Sequence, residues 1–153
     1  MLLKVLASGS SGNSYILESP TGSLLLEAGI PWKEILKGLN YDLSNVLACL
    51  VSHEHQDHSK AINDVLKAGI DVYTSKGTAE ALNVKHYRLN TVKSKDQFQI
   101  GDFLVLPFDT EHDAEEPLGY LIQYMPTKEK ILLLTDSFYC KYKFKGLNYI
   151  MIE

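Results

Sequence analysis

The sequence predicts an α/β domain whose chemistry collects at the carboxyl end of a buried strand. The run Val46-Leu47-Ala48-Cys49-Leu50-Val51 is short, apolar throughout and free of alternation, the pattern of a buried strand. Past it, Ala61, Ile62, Val65 and Leu66 repeat at helical spacing. Between strand and helix lies His53-Glu54-His55-Gln56-Asp57-His58, three imidazoles and two carboxylates in six residues. In open α/β structures, ligands and reacting groups gather at the carboxyl ends of strands.

The remaining elements follow in chain order. Leu2 to Ala7 reads as a strand, Ser8-Gly9-Ser10-Ser11-Gly12-Asn13-Ser14 as a turn-rich loop, and Tyr15 to Glu18 as a second strand. The glycine loop lacks the lysine of a P-loop and precedes a strand, so it reads as a hairpin connection rather than a phosphate cradle. Pro20-Thr21-Gly22 turns the chain into a third strand, Ser23 to Leu26. Pro31 opens a helix with Ile35, Leu36 and Leu39 on one face. Gly69 stops the helix after the histidine loop; a short strand at Val72-Tyr73 and a short helix from Thr78 to Leu82 come next. Phe98 to Ile100 and Phe103 to Leu106 flank the turn signal Gly101-Asp102. Tyr120 to Tyr124 and Lys130 to Leu134 form another strand pair, and Tyr149 to Glu153 one more strand. Lys141-Tyr142-Lys143-Phe144-Lys145 alternates bases with aromatics, which as a strand sets three lysines on one face. It reads as an amphipathic edge with a solvated lysine face; the rival is a phosphate track beside stacking rings.

The 153 residues fit one domain spanning 1–153, and the 45% hydrophobic and 22% charged fractions are ordinary globular values. A net charge of −4 provides no global field toward nucleic acid. Cys49 and Cys140 are too few for a disulfide framework. With no signal-peptide pattern and no run near the roughly 20 apolar residues of a membrane span, the expectation is a cytoplasmic protein with no membrane partner.

The histidine loop has the spacing of a metal site. In an extended segment His53 and His55 point to the same side, and a turn at Gln56 presents Asp57 and His58 toward a second point. Imidazole nitrogen and carboxylate oxygen suit zinc, manganese or iron. His86, in Val84-Lys85-His86-Tyr87-Arg88, has no such company and reads as structural.

His53-x-His55-x-Asp57-His58 resembles the signature of the metallo-β-lactamase-fold hydrolases, and Ala7 to Asn13 resembles the wording of a bacterial and phage exonuclease-like branch. The resemblance implies an αββα sandwich and two divalent metal ions. It assigns His53 and His55 to one metal with His112, which stands past a strand end where the family carries its third histidine. Asp57 and His58 go to the second metal, and Asp136, in Leu134-Thr135-Asp136, bridges the two. Asp136 stands where lactamases with a thiolate ligand carry Cys, which points away from lactam hydrolysis. Glu27 stands where the family has Asp and takes a supporting role that orients the metal loop; the plain alternative is an exposed strand-end carboxylate. Asn13 and Ser14 are minor candidates near the metals.

In the resembled family, further strands, helices and a last histidine follow the final strand. Their absence from this sequence implies a C-terminally truncated sandwich, an open-edged final strand suited to homo-oligomer pairing, and a second metal site that lacks its last histidine. The implied reaction is phosphodiester hydrolysis by a water shared between the cations, with Asp57 orienting the nucleophile. The substrate is nucleic acid or a small nucleotide. The alternatives are a thioester or lactone hydrolase on the same site, and a weak or inactive metal-binding accessory module.

Overall fold

Strand by strand, the apolar residues sort onto opposite faces and so fix a layered packing. The computed structural model describes residues 1–152. Strands β1 (Leu2–Ala7), β2 (Ser14–Ser19), β3 (Gly22–Leu26), β4 (Val46–Leu50), β5 (Val72–Ser75) and β6 (Leu89–Val92) form one sheet in that order. Its first two pairings are antiparallel and the next three parallel. Parallel neighbours need crossovers: α1 (Trp32–Gly38) leads to β4, α2 (Gln56–Ser59) and α3 (Ile62–Lys67) to β5, and α4 (Lys76–Ala81) to β6. The second sheet holds β7 (Phe98–Ile100), β8 (Phe103–Asp109), β9 (Leu118–Tyr124), β10 (Lys130–Leu134) and β11 (Tyr149–Ile152), neighbours in chain order. All its pairings are antiparallel except the parallel β10–β11 edge.

Between the sheets, Leu17, Leu24, Leu26 and Leu50 pack against Phe103, Val105, Tyr120, Ile122 and Leu133. The alternate residues Ile16, Leu25 and Cys49 face outward and are covered by Ile35 of α1 and by Ile62, Val65 and Leu66 of α3. On the outer face of the second sheet, Phe108, Leu132 and Leu134 are covered by Cys140, Tyr142, Phe144 and Leu147. The layers are thus helix, sheet and sheet, with an extended segment on the fourth face.

That segment refines the sequence reading. Residues 141–145 are not a strand, yet their side chains still alternate, with Lys141, Lys143 and Lys145 exposed and Tyr142 and Phe144 half-buried. The two rings pack on Phe108, with ring centres 5.6 and 4.9 Å from it; they are core, not stacking rings. The helix expected around Ala61 to Leu66 is preceded by a helical turn from Gln56, with a break between α2 and α3. β6 was not expected, because Leu89-Asn90-Thr91-Val92 carries little apolar signal and owes its strand form to pairing with β5. Glu153, placed in the last strand from the sequence, lies outside the described residues. Among the described residues, no helix is long and apolar enough to cross a membrane.

Candidate metal centre

The residues that converge come from loops leaving the carboxyl ends of β3, β4, β8 and β10. Beyond β4, Val51 and Ser52 stay extended and carry His53 inside, where it is 1% exposed. The chain then turns into α2, held by Ser59 Oγ, which lies 2.8 Å from the Glu54 carbonyl and 3.0 Å from that of His55. Backbone bonds fasten this loop from the other side: Asn13 N donates to Asp57 O at 2.7 Å, Ala28 N to His58 O at 2.8 Å and Gly29 N to Asn13 O at 2.9 Å. Gly29 is required at that crossing, since a Cβ there would lie 1.6 Å from Asp57 O.

Two donor sets result. His53 Nε2 and His112 Nε2 each lie 3.1 Å from His55 Nδ1. The three rings meet edge to face, at 77° to 80°, so nitrogens rather than ring faces converge. The second set is His53, His58 and Asp136. Asp136 Oδ2 is 2.7 Å from His58 Nε2, 3.5 Å from His53 Nε2 and 4.0 Å from His112 Nε2, so one carboxylate oxygen faces both sets. Asp136 takes a left-handed φ of 50° at the end of β10, which turns its side chain into the centre. Asp57 stands one step outward, its Oδ2 3.6 Å from His58 Nε2.

These donors fit a divalent cation. Metal–nitrogen bonds of about 2.0–2.1 Å in a tetrahedral site place ligand nitrogens roughly 3.3 Å apart, close to the 3.1 Å seen here. Burial, together with the neighbouring His58, His112 and His55, pushes the His53 imidazole down to about 2, so it stays neutral with a lone pair to offer. Ser52 Oγ, 2.9 Å from His53 Nδ1, fixes which nitrogen faces inward. His58 behaves oppositely. Burial would lower its pKa, but the Glu27, Asp136 and Asp57 carboxylates outweigh this and lift it to about 9.

Glu27 is not the exposed strand-end carboxylate of the plain reading; it is 0% exposed. Its carboxylate accepts the Ser52 N–H at 3.1 Å and the Thr135 hydroxyl at 3.4 Å. It also stands 3.6 Å from His58 Nδ1, too far for a hydrogen bond and near enough for electrostatic attraction. One side chain therefore touches the loops that carry His53, His58 and Asp136. Asn13 is likewise fully buried, with Oδ1 accepting from Gly9 N at 3.1 Å and the Tyr15 hydroxyl at 2.9 Å. Its Nδ2 is thereby aimed at His58 Nε2, 3.2 Å away. Ser14 donates to the Glu27 carbonyl at 3.1 Å and faces no ligand nitrogen directly.

Sequence reasoning did not single out Glu54. Its Oε1 accepts the Glu115 N–H at 2.8 Å and its Oε2 the Thr78 hydroxyl at 3.4 Å, tying the histidine loop to the His112 loop and to α4. No local signal marks such a residue, because its partners lie 24 and 61 positions away. His86 stays apart from the centre, accepting the Arg88 N–H at 3.2 Å. Cys49 is buried in the core, and burial pushes its thiol well above the usual range.

Residues 31–151 match the family model described as the beta-lactamase superfamily domain. The chain belongs to the beta-lactamase superfamily. Within it, the chain is 34% identical to exodeoxyribonuclease WalJ of Streptococcus pneumoniae, across 94% of its own length and 56% of that protein. It is 30% identical to exodeoxyribonuclease YycJ of Bacillus anthracis, across 94% of its length and 57% of that relative. The chain therefore spans little more than half the length of these curated relatives. Among solved structures, the Rm3 metallo-beta-lactamase superposes with a TM-score of 0.72 at 18% identity, covering 95% of this chain and 64% of that one. That likeness establishes the superfamily fold.

Proposed function

We propose that this chain is a metal-dependent phosphodiesterase acting on nucleic acid. The observation that carries the reading is Asp136, whose Oδ2 lies within 4.0 Å of ring nitrogens from His58, His53 and His112. A single oxygen facing two nitrogen-rich donor sets is the arrangement a pair of cations needs. His53, His55 and His112 would hold one, and His58 with Asp57 the other, Asp136 standing between them. The donor chemistry favours zinc. When bound, the pair would supply Lewis acidity toward a phosphoryl group and a more acidic water.

The chain's own residues do the rest. Asp57 is partly open to solvent and reaches toward His58, so it can orient an attacking water and accept its proton. Glu27 holds the Ser52 N–H and the Thr135 hydroxyl in place and sets the orientation of His58 by charge. Asn13 fixes the other flank of that imidazole. The two exodeoxyribonuclease relatives favour nucleic acid over thioester or lactone substrates.

Elemental analysis of the purified chain beside His58→Ala, with hydrolysis of a DNA oligonucleotide, tests this. Two metals per chain falling to one in the variant, with loss of hydrolysis, is the expected result. A chain with one metal or none, or one equally active after the substitution, would overturn the two-cation mechanism.

A further inference from the structure

Two large aromatic rings stand in solvent beside the candidate centre. Phe138 is 82% exposed and Tyr139 66%, and the Phe138 ring centre lies 6.0 Å from that of His112. Their exposure is local, since Tyr142 and Phe144 of the same segment are packed on Phe108. Leaving a whole phenyl ring in water forgoes burial free energy and contributes nothing to folding.

These rings do not hang on a loose loop. The Phe138 N–H donates to the Glu111 carbonyl at 2.9 Å, and Ser137 Oγ accepts the Glu111 N–H at 3.3 Å. Ser137 Oγ in turn donates to the Tyr139 carbonyl at 2.9 Å. The pair is thus clamped to the loop that carries His112, two and three residues past Asp136.

Charge around the pair is of both signs. Glu111, Asp113 and Glu115 of the His112 loop are exposed, Glu111 adjoining the pair through its backbone bonds to Ser137 and Phe138, while past Tyr139 the exposed residues include Lys141, Lys143 and Lys145. Lys141 is paired with Asp109, whereas Lys143 and Lys145 make no ion pair among the described residues. A polyanion reaching the centre would find its free cationic partners in Lys143 and Lys145.

We infer that Phe138 and Tyr139 form a stacking platform for the unpaired terminal bases of single-stranded nucleic acid, whose following phosphates run along Lys143 and Lys145. The inference rests on the phosphodiesterase reading and specifies its substrate. A base inside a duplex has both faces covered by neighbours, so an exposed ring selects unpaired ends; stacking tolerates any base, because every base has a π-face. With a net charge of −4 and no global attraction, such a local platform would supply most of the affinity.

The test uses metal-loaded full chain and a single-stranded oligonucleotide with phosphorothioate linkages and 2-aminopurine at one terminus or the other. Stacking should quench the terminal probe on binding. The F138A/Y139A double variant should lose the quench and bind about tenfold more weakly, with unchanged metal content, while F138W keeps both. Replacing Lys143 and Lys145 by Gln should lower the salt dependence of binding by about 1.4 in log–log slope. Wild-type binding that the double variant leaves intact would overturn the platform and leave the phosphodiesterase reading standing. Hydrolysis of a base-free phosphodiester without oligonucleotide binding would do the same. No hydrolysis of any phosphodiester by a two-metal chain would remove both.

Discussion

Replacing Gly29 by Ala should loosen the whole histidine loop, because the new methyl would occupy the place of the Asp57 carbonyl. A Cβ at Gly29 would lie 1.6 Å from Asp57 O, 2.1 Å from its carbonyl carbon and 2.7 Å from His58 N. These are backbone atoms, so no rotamer change relieves the clash, and the loop must retreat by over about 1 Å. Three backbone hydrogen bonds cross this point, joining Asn13 to Asp57, Ala28 to His58 and Gly29 to Asn13. At a net 0.5–1.5 kcal/mol each, their loss should destabilise the fold by about 2–4 kcal/mol. For a chain of this size that corresponds to a melting temperature lower by about 5–15 °C. The retreat also pulls His58 from Asp136, so bound metal should fall together with stability. Gly69→Ala is the control: φ there is 87° but a Cβ meets nothing within 4 Å, so it should cost only about 1–2 kcal/mol and leave the metal alone. Urea unfolding and elemental analysis of both variants decide the matter. A Gly29→Ala protein within about 1 kcal/mol of the parent and with full metal content would refute the packing argument.

Other predictions concern the groups around that loop. Glu27→Ala orphans the buried Ser52 N–H and leaves the Thr135 hydroxyl with Ser52 Oγ alone and should cost about 1–3 kcal/mol by denaturant titration; Glu27→Gln should recover much of the stability yet still weaken metal retention, and equal metal retention in both would show that the charge is irrelevant. Tyr120 buries its hydroxyl on the Val51 carbonyl at 2.9 Å, so Tyr120→Phe should lower stability by about 1 kcal/mol with no change in metal content. Hydrogen bonds from Lys141, then Tyr142 and Ser94, hold the Asp109 carboxyl well below the usual carboxylate range. A depressed folded-state pKa adds stability above the unfolded value of about 3.9 that is lost as pH falls through the folded value. The 140–145 segment should therefore resist protease at pH 4 and loosen only in stronger acid, whereas in Asp109→Asn it should be cleaved readily at every pH. If cations bind as proposed, a strong chelator should lower the melting temperature and zinc should restore it; identical melting curves with and without chelator would count against the site.

The histidine loop was legible because its chemistry is contiguous: His53, His55, Asp57 and His58 share one strand-to-helix turn, and residue spacing alone sets their directions. The long apolar strands were legible for a similar reason, since burial on one or both faces leaves a local pattern. His112 and Asp136 lie 54 and 78 residues beyond His58. Nothing local marks them as ligands, and they were named through family resemblance alone. What the sequence did not reveal depends on distant packing. Glu27 reads as a strand-end acid until β4 and β10 close over it, and Glu54 reads as a ligand-loop carboxylate until the 115 backbone takes it. The alternation in 141–145 showed that lysines and rings part company, but only the fold decided that Tyr142 and Phe144 pack on Phe108 while Phe138 and Tyr139 stay in solvent. The sequence by itself thus determined the strands, the helices and the donor types of the histidine loop, because those follow from local pattern, while the layer order came only with the resemblance. The tertiary structure decided which charges are buried and which rings are free, because burial belongs to surfaces that meet only once both sheets are stacked.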